Sequence, residues 1–129
     1  MASLQADVKQ ALERLSALMA AADPAIAAQF DPAAEVLLVG SEVGEVVRGH
    51  QALGRFFAEI FALPLRIKWV WDDIEAGAQG ETVWFFAEGA AVVLRDGIET
   101  RRPYRLSGVL VRTADGLRWR QFHGAEPKP

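Results

Sequence analysis

The chain has 129 residues, 51% of them hydrophobic, a net charge of −3, two histidines and no cysteine. That length suits one domain with a core that needs no cross-links, and the apolar fraction excludes a disordered linker. The acidic balance argues against a nucleic-acid clamp, the missing cysteines remove disulfides and thiolate chemistry, and two histidines are too few for a histidine-rich metal centre.

The first segment predicts a helix. Leu4, Val8, Ala11, Leu12, Leu15, Leu18, Met19 and Ala22 recur at spacings of three and four on one stripe, leaving Gln5, Asp7, Lys9, Gln10, Glu13, Arg14 and Ser16 for solvent. Pro24 stops it. Asp23-Pro24 then starts a short second helix through Ala25 to Phe30, with aspartate as cap and proline in the first turn. Glu35–Val39 and Glu45–Arg48 read as a small hairpin around the loop Gly40–Gly44. After Gly49, the residues Leu53, Phe56, Phe57, Ile60 and Phe61 make a second amphipathic stripe, ended by Pro64, whose three phenylalanines must meet a large apolar surface.

A meander of long strands follows. Leu65–Ala76 alternates, with Leu65, Ile67, Trp69, Trp71 and Asp73 on one side and Arg66, Lys68, Val70 and Asp72 on the other. The turn Gly77–Gly80 leads into Glu81–Arg95, with a bend or bulge expected at Gly89. Asp96-Gly97 and Asp115-Gly116 are hairpin signals bounding Ile98–Thr113, and Leu117–Gly124 is the last strand before an exposed tail, Ala125–Pro129. No apolar run is long enough for a membrane, and Met1–Gln10 lacks the basic start and apolar stretch of a signal peptide, so a cytoplasmic domain is expected.

Two register arguments carry the reading toward function. A three-residue loop, Ala114–Gly116, sets Ser107 opposite His123. One face then receives Val109, Val111, Leu117 and Trp119, with Arg105, Ser107, Gln121 and His123 clustered at its end, an arrangement resembling a pocket wall. Leu106, Leu110, Phe122 and the only tyrosine, Tyr104, fall on the other face. In Thr82–Ala87, Val83, Phe85 and Ala87 point one way and Trp84 and Phe86 the other, so both faces are apolar. Antiparallel sheets normally wet one face. A second copy of the chain, docked on the outer sheet face, is the simplest cover, giving a homodimer.

The order of elements resembles the nuclear-transport-factor-2-like superfamily. GEVVRGHQALGRFF (Gly44–Phe57), RLSGVLVRTADG (Arg105–Gly116) and RQFHGAEP (Arg120–Pro127) are similar to motifs of its SnoaL-like branch. The resemblance implies an α+β, cone-shaped, cystatin-like fold, with N-terminal helices packed on a curved antiparallel sheet. It also implies pocket positions at Glu45, Arg105, Ser107 and His123. The fold hosts isomerases, cyclases, dehydratases and plain binding or assembly domains, so it names no chemistry.

Imidazole at His123 is a natural proton shuttle, or else a strand-end histidine held by a carbonyl. Arg105 would grip a carboxylate or enolate oxygen through its planar fork, or else pair with Glu45 or Glu35. Glu45 is a candidate base. Trp69, Trp71 and Trp119, with Ser107 and Gln121, are candidates for ligand contact in an aromatic cavity. The leading expectation is a homodimeric protein binding a small organic molecule, with no metal or cofactor. The alternatives are an isomerase, cyclase or dehydratase using His123 with Arg105 or Glu45, and an assembly domain.

Overall fold

A computed structural model describes residues 3–128. Met1 and Ala2, and Pro129 of the tail, lie outside the described residues. Helix α1 (Leu4–Ala20) begins at Ser3, whose side chain accepts from the Ala6 amide at 3.0 Å. It buries Val8, Ala11, Leu12, Leu15 and Met19, as its stripe predicts. Ser16 departs from the predicted solvent face. It is buried because its hydroxyl donates to the Trp69 carbonyl at 2.9 Å and accepts from the Trp69 amide at 2.8 Å. Gln5 likewise donates to the Ile74 carbonyl. Helix α1 thus satisfies backbone groups on the free edge of strand β3 (Arg66–Gln79), which would otherwise invite another strand.

Asp23 caps the next segment, accepting from the Ala25 amide at 2.9 Å, but Pro24–Gln29 winds as a 3₁₀ turn instead of an α-helix. Strands β1 (Leu37–Val39) and β2 (Val46–Arg48) form the expected small hairpin. Helix α2 (His50–Phe61) buries Leu53 and Phe57 fully and Phe56, Ile60 and Phe61 partly. Strands β4 (Thr82–Arg95), β5 (Ile98–Thr113) and β6 (Gly116–Ala125) complete one six-stranded sheet in the order β2-β1-β6-β5-β4-β3. The sheet is mixed, which corrects the antiparallel expectation. Strand β1 runs parallel to β6, with Leu38 opposite Phe122, because the chain leaving the 3₁₀ turn is already tied alongside β6 by the Asp31 amide on the Trp119 carbonyl at 2.8 Å.

Two bulges bend the sheet. Opposite Gly89 the extra residue is Asp72 on β3, between Trp71 and Asp73, so the bulge sits on the partner of the strand where it was expected. A Cβ at Gly89 would stand 1.9 Å from the Val70 carbonyl oxygen, which only glycine permits. The second bulge lies between Val109 and Leu110, with Arg120 the extra residue on β6.

Ser107 does pair with His123, but by another route: Thr113 pairs with Gly116, and the bulge makes up the remaining step. The bulge lets Trp119 and Phe122 both point inward, joining Leu106 and Leu110 in the core. Leu106, Leu110 and Phe122, expected on the outer face, are thereby turned inside, where they join Trp119 on its expected side. Burying Leu106, Leu110 and Phe122 removes more apolar area from water than burying Val109 would, so Arg105, Ser107, Gln121 and His123 face out. On β4, Val83, Phe85 and Ala87 are buried inward, while Trp84 is 49% exposed on the outer side. No helix among the described residues is long and apolar enough to cross a membrane.

Candidate functional site

The inner face of the sheet, helix α2 and the β1–β2 loop enclose a cavity of about 540 Å³. Its apolar wall is built from helix and strand periodicity. Phe56, Phe57 and Ile60 project from α2, Leu65 just before β3 and Ile67 and Trp69 within it alternate inward, and Ala91, Val93 and Phe122 complete it. An aromatic chain supports this wall from beneath. Trp71 packs on Tyr104, Tyr104 on Trp69 and Trp69 on Phe122, with centroids 6.2, 6.2 and 5.6 Å apart. Phe122 then meets Trp119 at 5.6 Å, and Trp119 meets Phe85 at 5.4 Å.

The polar groups come from neighbouring positions of the same sheet face, the β1–β2 loop and the tail. Arg102, Thr100 and Tyr104 alternate inward on β5, Arg95 ends β4, Ser41, Glu42 and Glu45 come from the β1–β2 loop, and Glu126 comes from the tail. Glu45 is anchored, its side chain accepting from the Glu42 amide at 2.9 Å. Arg102 and Glu126 form an ion pair at 3.6 Å.

Tyr104 is the polar centre of the cavity. Its ring lies over Gly124, where a Cβ would stand 1.8 Å from the phenol oxygen. Burial pushes its pKa well above the usual phenol value, and the negative charges of Glu45 and Glu126 push it further, against a smaller opposing hydrogen bond with Trp69. Tyr104 is therefore a neutral hydroxyl across the physiological range, able to donate to a ligand oxygen.

The structure redistributes the predicted site. Trp69 and Glu45 line the cavity. Trp71 lies behind Tyr104, and Trp119, 1% exposed, is core beneath the wall. Ser107 and His123 are brought together across β5 and β6, and Arg105 and Gln121 share their face, but all four are exposed on the outer side of the sheet. They do not form the cavity wall. Arg105 pairs with Glu88 at 3.3 Å, not with Glu45 or Glu35. His50, at the start of α2, faces the Ala34 carbonyl at 3.1 Å. Asp31 is structural. Its carboxylate accepts from the Ala33 amide and from Arg120, both at 3.0 Å, and these contacts hold its pKa below the usual range, led by the Ala33 amide and opposed by burial.

Tyr104, Arg102 and Thr100 were missed because the expected register turned the wrong face of β5 inward, whereas Arg95 at the end of β4 and Glu126 in the tail carry no local signal that would place them here. The signal that finds the first three is the run of alternate residues from Leu106 back through Tyr104 and Arg102 to Thr100.

Comparison with known proteins agrees with this architecture. The SnoaL-like domain family matches residues 8–126. No curated protein matches the sequence. Among solved structures, a nuclear-transport-factor-2-like protein from Streptomyces avermitilis, named as a candidate dehydratase, superposes with a TM-score of 0.84 at 18% identity, covering 95% of this chain and 96% of that one. A Catenulispora acidiphila protein solved in complex with S-DNPA gives 0.78 at 20% identity over 98% and 95% of the two chains. A ketosteroid isomerase-like protein from Erwinia carotovora atroseptica gives 0.76 at 14% identity over 100% of both. At such identities the likeness establishes the fold alone.

Proposed function

This chain belongs to the SnoaL-like domain family, and from that premise we propose that it binds a small, flat organic molecule in the cavity around Tyr104. The observation that carries the reading is a hollow of about 540 Å³ whose aromatic and aliphatic walls hold the buried Tyr104 hydroxyl, with Arg95, Arg102 and three glutamates also lining it. That volume falls within the roughly 300–1,000 Å³ of small-molecule sites, which pair apolar walls with a few placed polar groups. Calorimetric titration with 2-naphthamide, a flat amide that could accept from Tyr104, tests it. Binding that weakens in Tyr104→Phe and is lost in Trp69→Ala supports the reading. Binding indifferent to both variants refutes it.

Proton chemistry is a second reading, favoured by the two carboxylates whose charges act on Tyr104. Tyr104 would hold a carbonyl oxygen while Glu45 or Glu126 took a proton from the adjacent carbon and returned it to another carbon, as in an isomerase, or to a β-hydroxyl that departs as water, as in a dehydratase. It replaces His123 as the proton shuttle and Arg105 as the grip on an enolate oxygen, since both side chains lie on the exposed outer face. A mass spectrometric search for exchange of α-protons of cyclic ketones into heavy water tests it. Equal exchange by the native protein and Tyr104→Phe would defeat it.

We further propose a homodimer formed through the outer sheet face, where Trp84, Phe86 and Val109 lie on neighbouring positions of β4 and β5. A self-complementary face suits a two-fold dimer. Sedimentation should give twice the chain mass, and Trp84→Glu should halve it.

A further inference from the structure

We infer that the cavity selects a flat cyclic carboxylic acid, its carboxylate held at the mouth by Arg102 and Arg95 on either side of Thr100. This rests on the small-molecule reading above and narrows it. On the inner face of the β4–β5 hairpin, Thr100 pairs with Val93 and Arg102 with Ala91, and Arg95 stands two residues beyond Val93. Both guanidinium groups line the cavity from one wall, with the Thr100 hydroxyl between their strand positions. Guanidinium forks match a carboxylate in two-point geometry.

The charges already present do not fill this site. Arg95 has no ion-pair partner among the described residues. Arg102 meets Glu126 only at 3.6 Å, with its side chain 65% exposed. Such a pair contributes little, roughly 0–1 kcal/mol, and exchanges readily for a ligand anion. Of the three acids that line the cavity, Glu45 is engaged with the Glu42 amide, Glu126 with Arg102, and Glu42 is exposed to solvent. Two residues along β5 from Arg102, Tyr104 faces the same cavity, roughly 7 Å further in. A ligand with its carboxylate on Arg102 and its ring against Trp69 therefore presents its far end to the Tyr104 hydroxyl.

The test compares 2-naphthoate, 2-naphthamide and 2-naphthylmethylamine by calorimetry on the full chain. They share one ring system and differ in charge. The acid should bind the native protein more tightly than the amide by roughly three- to tenfold, the weight of one or two exposed charge pairs. Arg102→Gln and Arg95→Gln should each shrink that preference and the double variant abolish it, the acid losing more affinity than the amide. Both side chains are on the surface, and circular dichroism verifies that the variants fold. Equal affinity for acid and amide, a preference for the amine, or an acid preference that survives the double variant overturns the inference while the small-molecule reading stands. Failure of all three probes to bind overturns both.

Discussion

The two faces of one sheet use similar residues to opposite ends. Trp119 on the inner face is 1% exposed and locked between Phe85 and Phe122, whereas Trp84 on the outer face is 49% exposed. Arg105 and Glu88 on the outer face form an ion pair at 3.3 Å in which both side chains are about half exposed. Tyr104, buried on the inner face, has its ionisation suppressed by desolvation and by Glu45 and Glu126. Side-chain type alone would rank the histidine and arginine of the outer face above a lone tyrosine as chemistry. Burial reverses that ranking, because charge and hydrogen bonding act strongly only where water is excluded.

The largest test of this contrast is truncation of the two tryptophans. Trp119→Ala should cost roughly 3–5 kcal/mol in urea denaturation, much of a small domain's stability. Trp84→Ala should leave the unfolding free energy of the dilute single chain within about 0.5 kcal/mol. Equal losses would mean that the faces are not different in kind.

Gly124→Ala addresses the inner face directly. The added methyl meets the Tyr104 oxygen, and overpacking of this kind costs roughly 1–3 kcal/mol. It should also displace the phenol and weaken 2-naphthamide binding. Unchanged melting and binding together would show that the ring does not rest on Gly124.

Asp31 supplies a pH-dependent comparison. Its pKa is depressed in the fold, so the carboxylate stabilises the protein above the unfolded value of about 3.9 and loses that contribution as pH falls through the folded value. Asp31→Asn should therefore lower the melting temperature at pH 7 by the equivalent of roughly 1–3 kcal/mol. The gap to the native protein should narrow toward pH 3. A gap independent of pH would remove the ion from the account.

The smallest effects belong to the outer polar cluster. Arg105→Gln should change stability by no more than about 1 kcal/mol, and His123→Ala should leave naphthoate and naphthamide affinities as they are in the native protein. A ligand lost with His123 would return the site to the outer face.

The sequence by itself determined the elements. The stripes of α1 and α2, the Asp23 cap and the Asp96-Gly97 hairpin were all legible, because they depend on local periodicity and turn chemistry, whereas the Ser107–His123 pairing was expected from a three-residue loop and arises instead from a bulge. So were the family motifs and the inward placement of Trp69 and Glu45. Which face of β5 and β6 turned inward, and with it the lining of the cavity, depended on contacts between distant parts of the chain. Strand alternation has a period of two, so a single bulged residue reverses the faces along the rest of a strand. Arg120 is that residue. No local signal marks it, since the bulge is selected by the whole core: it lets Trp119 and Phe122 be buried together with Leu106 and Leu110, and it sends His123 and Arg105 into solvent. The same non-local selection made β1 parallel to β6 and set Ser16 against the edge of β3, each settled by a partner far away in the chain.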